Sequence, residues 1–197
     1  MTERPERREI SDPETLRLLA HPLRYKIARE LRQGPATATT LARKLGLNTG
    51  ATSYHLRQMA EHGFIEEASE LGKGRERWWR TRARDVRFPP RSRQTDEARA
   101  LLEEIKRLDL ADTMERLARY QLVRDEMGEW GDAELFSQSS ILVTFEEARQ
   151  FFEEYIALLY RYKRPAGQTP AGARVMLARL VMFPEVTDEE ERPPEEK

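Results

Sequence analysis

Between residues 13 and 62, apolar residues recur three or four positions apart in four short stretches, which predicts four short amphipathic helices. Gly46 ends the third helix and Asn48 starts the fourth only two residues later, so these two helices must cross at a steep angle. A favoured capping residue or a proline marks each helix start. The candidate starts are Ser11 or Asp12, Pro22, one of Thr37, Thr39 and Thr40, and Asn48.

A β-hairpin is predicted directly after the fourth helix. Phe64-Ile65-Glu66 favours a strand, residues 71–75 form a glycine-rich basic turn, and residues 77–80 favour a return strand. Trp78 and Trp79 point to opposite faces of that strand, so one is expected to be buried and the other partly exposed. Two tightly joined helices followed by a β-hairpin make a winged helix-turn-helix, whose second helix can enter the major groove of DNA.

The remaining chain predicts further helices and two short strands. Apolar spacing predicts a long helix from Asp96 to Met127, and a second one that Thr144 caps. Residues 133–143 favour a strand, and residues 174–183 favour another, although periodicity alone would also allow a helix there. Strand, helix and strand together would form a small α/β unit.

The predicted fold is therefore mainly α with a small β-wing. Its N-terminal winged helix-turn-helix is followed by a long helix, assigned to dimerisation, and by the small α/β unit. Residues 1–10 are polar and expected to be frayed. The predicted segments are the DNA-binding domain 11–82, a Pro-containing linker 83–95, the long helix 96–128, the α/β domain 132–186, and an acidic, disordered tail 187–197.

Composition excludes several functional classes. The 197 residues contain no cysteine, which excludes disulfides and thiolate metal sites. No apolar run approaches the ~20 residues of a membrane span, and no signal-peptide pattern is present, so a cytoplasmic location without membrane contact is expected. Catalytic motifs are also missing, such as a phosphate-binding glycine loop, a nucleophile elbow or a histidine-rich metal motif. We therefore expect neither an enzyme nor a cofactor.

The net charge of −1 conceals a strong asymmetry along the chain. Residues 1–94 carry 20 Lys and Arg against 12 Asp and Glu, a net +8, whereas residues 95–197 carry a net −9. A basic half in a nearly neutral chain indicates a polyanionic partner for that half. Double-stranded DNA is the expected partner, and the alternative is a protein-interaction module that binds an acidic protein.

The first two turns of the fourth helix would face the base edges of DNA, because a helix in the major groove presents its N-terminal turns. Thr52, Leu56 and Met59 are expected to face inward. On the wing, Lys73, Arg75 and Arg77 are expected to contact phosphates or the minor groove, which adds affinity rather than sequence preference. The expected contacts on the helix are Thr49, Gly50, Ala51, Ser53, Tyr54 and Arg57.

The three histidines are interpreted as structural. His21 precedes Pro22 and is expected to shape the start of the second helix. His55 and His62 lie seven residues apart on one helix and could share a face. No second pair of ligands accompanies them, so packing or capping roles are expected and no metal site is predicted.

The N-terminal half contains four characteristic motifs, namely Leu18–Arg24, Leu41–Leu47, Ser53–Met59 and His62–Ile65. Together these motifs resemble the ArsR-type (arsenical-repressor-like) winged helix-turn-helix family. The resemblance covers about residues 14–82 and implies a dimeric bacterial transcription regulator, usually a repressor. It assigns the groove contacts to Thr49, Gly50, Ser53, Tyr54 and Arg57. The metal-sensing members use cysteines or pairs of acids and histidines, and this chain has no cysteine, so metal sensing is not implied.

Two alternatives for the C-terminal half stay open at this point. The apolar stripe of the long helix could pair with a second copy in a homodimer or pack within its own chain. A set of aromatic residues could line a pocket for a small-molecule effector or form the core of a small domain. The set comprises Trp130, Phe136, Phe145, Phe151, Phe152, Tyr155, Tyr160, Tyr162 and Phe183.

Overall fold

A computed structural model describes residues 5–72, 76–82, 85–164 and 168–187. The chain divides into two compact units, Met1–Pro165 and Ala166–Lys197, and the first holds all helices and strands of the described residues. The mainly α architecture with a small wing is confirmed. The elements are β1 (Arg7–Glu9), α1 (Pro13–Leu19), α2 (Pro22–Leu31), β2 (Ala36–Thr37), α3 (Ala38–Leu45), α4 (Thr49–Glu61), β3 (Ile65–Glu67), β4 (Trp78–Thr81), β5 (Asp85–Arg87), α5 (Asp96–Val123) and α6 (Phe145–Tyr162).

Polar side chains cap the helix starts that the sequence indicated. Asp12 Oδ1 accepts a hydrogen bond from the Thr15 backbone N–H at 2.7 Å. Thr37 Oγ1 accepts one from the Thr40 N–H at 3.2 Å. Each bond satisfies a backbone donor that the first helical turn leaves unpaired. Asp12 therefore caps α1 and Thr37 caps α3, which settles two alternatives that the sequence left open.

The main hydrophobic core lies between α2, α3, α4 and the wing sheet. Ile27, Leu41 and Leu56 are fully buried there. The antiparallel sheet has the strand order β2-β4-β3, and its central strand turns Trp79 into this core, whereas Trp78 is half-buried. The predicted alternation of the two tryptophans is confirmed. Burial of these side chains fixes the position of α4 on the rest of the domain.

The N-terminal segment is ordered by a strand pair that the sequence did not reveal. Residues 7–9 pair in parallel with residues 85–87, and the Ile10 N–H donates to the Arg87 carbonyl at 2.9 Å. Ile10 is only 1% exposed. The expectation of a frayed segment 1–10 is therefore wrong for its last four residues, and part of the predicted linker 83–95 is strand β5. The partners lie nearly 80 positions apart, so local sequence patterns could not reveal the pair.

Polar contacts attach the middle of α5 to α2. The Tyr25 hydroxyl donates to Asp109 Oδ1 at 2.8 Å, and Arg29 Nη1 donates to Asp112 Oδ1 at 2.9 Å. Asp112 is 7% exposed and also lies 3.0 Å from Arg116. Burial alone would raise the pKa of Asp112, but hydrogen bonds from Arg29 and Arg116 hold it below its usual range. These contacts fix α5 to the helix-turn-helix segment.

The two faces of α5 have different environments. Ala98 and Leu102, near its N-terminus, are buried against Ile10 and Leu16, so this part packs within its own chain. Leu110 lies two positions before Asp112 and Met114 two positions after it, so both are on the helix face opposite to the one that contacts α2. Leu110 is 54% exposed and Met114 is 64% exposed. Despite the length of α5, no helix among the described residues is long and apolar enough to cross a membrane.

The C-terminal part contains α6 but not the two predicted strands. Thr144 and Glu147 form the capping box that starts α6, as the sequence indicated. Residues 133–143 and 174–183 form no strand, and nearly all of them are exposed. Strand-forming composition is insufficient without a partner strand, and none of the described strands pairs with either segment. The aromatic residues are mostly exposed as well, so they do not form the expected core of a small domain.

Candidate nucleic-acid interface

A short turn holds α3 and α4 at a fixed angle. Gly46 has a φ of +65°, a left-handed conformation that favours glycine, and its N–H donates to the Ala42 carbonyl. The Leu47 N–H donates to the same carbonyl at 2.8 Å. Asn48 then adopts an extended conformation and caps α4. This is the helix-turn-helix geometry that the sequence predicted.

The start of α4 favours a residue without a side chain at position 50. Asn48 Oδ1 accepts from the Gly50 N–H at 2.7 Å. A Cβ at position 50 would lie 3.0 Å from that oxygen, which is tighter than ordinary contact. Gly50 therefore keeps the cap close as well as leaving the tip of the helix open.

One face of α4 is buried and the other faces solvent. Thr52, Leu56 and Met59 are buried, as predicted, and His55 joins them. No carboxylate lies between residues 49 and 57, which is unusual for a solvated helix surface. Of the six expected contacts, Ser53 is half-buried, and the exposed ones are Thr49, Gly50, Ala51, Tyr54 and Arg57.

A cleft of about 360 Å³ lies between the start of α3, the outer face of α4 and the wing strand. It brings together Thr49, Ser53 and Arg57 of α4 with Arg77 of the wing. The remaining predicted residues of α4 do not line it. Its walls carry hydroxyl groups and two guanidinium groups, which are donors suited to phosphate and base edges. The other lining residues are Thr37, Ala38, Thr39, Glu76 and Trp79.

Only one of the three predicted wing residues can be placed. Arg77 is exposed and lies 4.0 Å from Glu67, a contact too long and too solvated to neutralise it. Lys73 and Arg75 lie outside the described residues. At the base of the wing, Arg80 Nε donates to Glu66 at 2.8 Å, so this arginine supports the hairpin.

His21 and His55 meet on a flank of α4 outside the cleft. His21 caps α2, as the sequence indicated, because its Nδ1 accepts from the Leu23 N–H at 3.2 Å. Its ring centroid lies 4.8 Å from that of His55. His62 instead approaches Thr15, with 3.2 Å between Nδ1 and Oγ1. Within the described ranges, no three His, Cys, Asp or Glu side chains gather around a possible metal position.

Sequence reasoning missed two polar residues near α4. Thr39 is exposed on the wall of the cleft, and the sequence suggested it only as an alternative cap for α3. Arg24 belongs to the motif Leu18–Arg24, but its sequence position alone indicated no role for its side chain. Its Nε donates to the Leu18 carbonyl at 2.8 Å, so it closes the end of α1 beside the helix-turn-helix. Only a three-dimensional arrangement places either residue beside α4.

Residues 19–68 match the family described as helix-turn-helix domain. In the structure, this segment has the helix-turn-helix arrangement described above. The match confirms the resemblance to winged helix-turn-helix regulators over a quarter of the chain, and β3 and β4 supply the wing. Helix-turn-helix domains bind DNA, so DNA-binding transcription regulation is the class of function that the domain indicates. No curated protein matches the sequence significantly.

Solved structures similar to this chain include three bacterial proteins. The adhesin competence repressor AdcR from Streptococcus pyogenes is 13% identical, with 71% of this chain and 78% of that chain covered and a TM-score of 0.31. ZitR from Lactococcus lactis, solved in complex with DNA, is 16% identical, with 72% of this chain and 75% of that chain covered. Its TM-score is also 0.31. RV1404 from Mycobacterium tuberculosis is 15% identical, with 81% of this chain and 75% of that chain covered and a TM-score of 0.27. TM-scores this low do not establish a shared overall arrangement.

Proposed function

We propose that this protein is a sequence-specific DNA-binding transcription regulator that acts as a homodimer. The observation that carries the proposal is the outer face of α4 from Thr49 to Arg57, which is free of carboxylates and exposes Arg57 at the cleft. A helix with this surface, joined to α3 by the three residues Gly46–Asn48 and packed on the core through its other face, suits insertion into the major groove. Repression is the expected mode of action, since the resemblance implies it.

We assign the residues around the cleft to two kinds of contact, to DNA bases and to DNA phosphates. Ser53 lies in the second turn of α4 and Arg57 in the third, on the face where side chains are expected to reach base edges. Arg77 approaches from the wing and Thr39 from the start of α3, where contacts to the sugar-phosphate backbone are expected. The net charge of +8 in residues 1–94 favours association with DNA from a distance.

A second copy of the chain is proposed to cover the exposed face of α5. Leu110, Met114 and Leu117 follow one another at helical spacing and are all exposed. The opposite face is fixed to α2, so a dimer formed through this stripe would hold two α4 helices in a defined geometry. Two-fold DNA sites require the recognition helices about one helical turn, ~34 Å, apart.

The alternative partner and the effector have less support. A winged helix that binds an acidic protein is not favoured, because residues 19–68 match a helix-turn-helix domain, a fold that commonly binds DNA. A small-molecule effector in the C-terminal half remains a prediction. Phe136, Phe145 and Phe183 belong to the aromatic set that could line such a pocket, and all three are largely exposed.

Replacement of Arg57 tests whether α4 contacts bases. Arg57→Ala is expected to weaken binding to a preferred duplex by about 1–3 kcal/mol, roughly 5- to 150-fold, because a bidentate base contact is lost. Binding to a scrambled duplex should change much less. Fluorescence anisotropy titrations with both duplexes measure the difference.

A matched control removes the same charge elsewhere. Arg161 is exposed on α6, so Arg161→Ala should leave both affinities nearly unchanged. Equal losses on the two duplexes for Arg57→Ala would reduce Arg57 to a phosphate contact. If neither duplex bound the wild-type protein, the proposed function itself would be wrong.

A further inference from the structure

A polar cluster lies on the flank of α4, outside the cleft. It consists of His21, Arg24, Tyr54 and His55, and we call it the His21–His55 cluster. The two imidazole rings are tilted by 52° with centroids 4.8 Å apart, and the Tyr54 ring meets the His55 ring edge-on at 5.6 Å. The start of α2 therefore packs against the first turns of α4, beside a tyrosine that is 52% exposed.

The cap of α2 determines what His21 can bind. Its Nδ1 accepts the Leu23 N–H, so the proton of the neutral ring is on Nε2, which is a hydrogen-bond donor. A metal ion at Nε2 would need the proton moved to Nδ1, which would break the cap. His21 is therefore suited to an anion rather than to a metal ion.

Arg24 adds a positive charge that no carboxylate of the described residues balances. Its guanidinium donates to the backbone carbonyls of Leu18 and Arg17, at 2.8 and 3.3 Å. Within the part of the chain that the structure describes, Arg24 forms no ion pair. Burial lowers its pKa, and the nearby Tyr54 hydroxyl opposes this in part.

His55 contains a buried polar atom without a partner. The residue is 8% exposed, and its Nδ1 has no hydrogen bond within the described structure. Buried polar atoms in native proteins nearly always have a partner, so one left unpaired needs an explanation. Burial lowers the pKa of His55, and the neighbouring His21 and Arg24 lower it further. His21, in the turn before α2, and Arg24, in α2 itself, are the titratable or charged groups of that part of the chain that act on His55.

We infer that the His21–His55 cluster binds a phosphate of the DNA backbone and that His55 gains a proton when it does so. The inference rests on the proposed function. His21 Nε2, Arg24 and the Tyr54 hydroxyl supply donors for the phosphate, and its negative charge stabilises protonated His55. The proton goes to His55 because His21 Nδ1 is occupied by the cap. DNA is favoured over a free anion because Tyr54 belongs to the exposed face of α4.

The sign of the pH effect follows from this arrangement. In the free protein the pKa of His55 lies below its usual range, and a bound phosphate raises it. Binding therefore takes up a proton, so DNA affinity should increase as the pH falls through the pKa of the complex. A pKa change of about one unit corresponds to a tenfold change in affinity.

Affinity at two pH values tests the inference. Wild-type protein should bind a preferred duplex about five- to tenfold more tightly near pH 5.5 than near pH 7.5, at constant ionic strength. His55→Gln should lose most of this dependence. His62→Gln is the matched control, because His62 follows the end of α4 but contacts Thr15 instead, and it should keep the dependence.

Proton uptake gives a second readout if His55→Gln does not fold. Calorimetry of wild-type protein and DNA in two buffers with different ionisation enthalpies should show uptake near pH 6.5. His21→Asn retains a capping side chain and should reduce the uptake. Affinity that is independent of pH, or uptake that disappears in His62→Gln, would overturn the inference. DNA binding that depends on Arg57 but not on pH would leave the proposed function intact.

A final arm distinguishes DNA from a free anion. Ring NMR signals of His55 are titrated with pH in chloride and in inorganic phosphate at equal ionic strength. We expect the same pKa in both, and a higher pKa only with duplex DNA. A pKa that inorganic phosphate raises as much as DNA does would assign the cluster to a small anion and contradict the proposed contact.

Discussion

Binding to duplex DNA is expected to weaken at least about a hundredfold when NaCl rises from about 50 to about 200 mM. Each DNA phosphate that the protein neutralises releases condensed counterions, and salt opposes this release. A hundredfold change corresponds to about four neutralised phosphates. Arg24 and Arg77 are the arginines proposed to contact phosphates in each subunit, and a dimer provides four of them. Anisotropy titrations at several salt concentrations give the slope.

The slope also identifies which arginines contact phosphates. Arg77→Ala should reduce the slope and weaken binding to all duplexes by a similar factor, as expected for a backbone contact. Arg161→Ala, on exposed α6, should leave the slope unchanged. A wild-type affinity that hardly depends on salt would contradict a phosphate-based interface.

Placing two charges on the exposed face of α5 should separate the dimer. Leu110→Glu combined with Met114→Glu puts two carboxylates into the proposed interface, where each would be buried without a partner. We expect a monomer in sedimentation equilibrium and DNA affinity at least about a hundredfold weaker, because a single recognition helix then binds one half-site. Both side chains are more than half exposed in the single chain, so the fold itself should persist.

Arg119→Glu provides the control for this substitution. It adds a carboxylate at an exposed position of α5, well around the helix from Met114, and should leave the dimer intact. A urea titration would verify that each variant is folded. A wild-type protein that is monomeric at micromolar concentration, or a double variant that stays dimeric, would contradict the proposed interface.

Local chemistry explains why the helix-turn-helix segment could be predicted from sequence. Gly46 adopts a left-handed conformation, and Asn48 supplies a cap oxygen two residues later, so the turn is determined by neighbouring residues. The buried positions of α4 follow the 3.6-residue period, which made Leu56 and Met59 predictable.

Contacts between distant residues account for what the sequence did not reveal. The pairing of β1 with β5 requires a register between segments almost 80 residues apart. The proximity of His21 and His55 depends on how α2 packs against α4. Residues 133–143 have strand-forming composition, but a strand needs a partner and none is supplied among the described residues.

Selection of bound sequences from a pool of random duplexes tests the central claim most directly, namely that α4 contacts base edges in the DNA groove. The wild-type protein should enrich a two-fold repeated motif whose half-sites are about one helical turn apart. Arg57→Ala should lose the preference at one or two base pairs of each half-site and keep it elsewhere. The absence of any enriched motif in the wild-type selection, or an identical motif for both proteins, would contradict the claim.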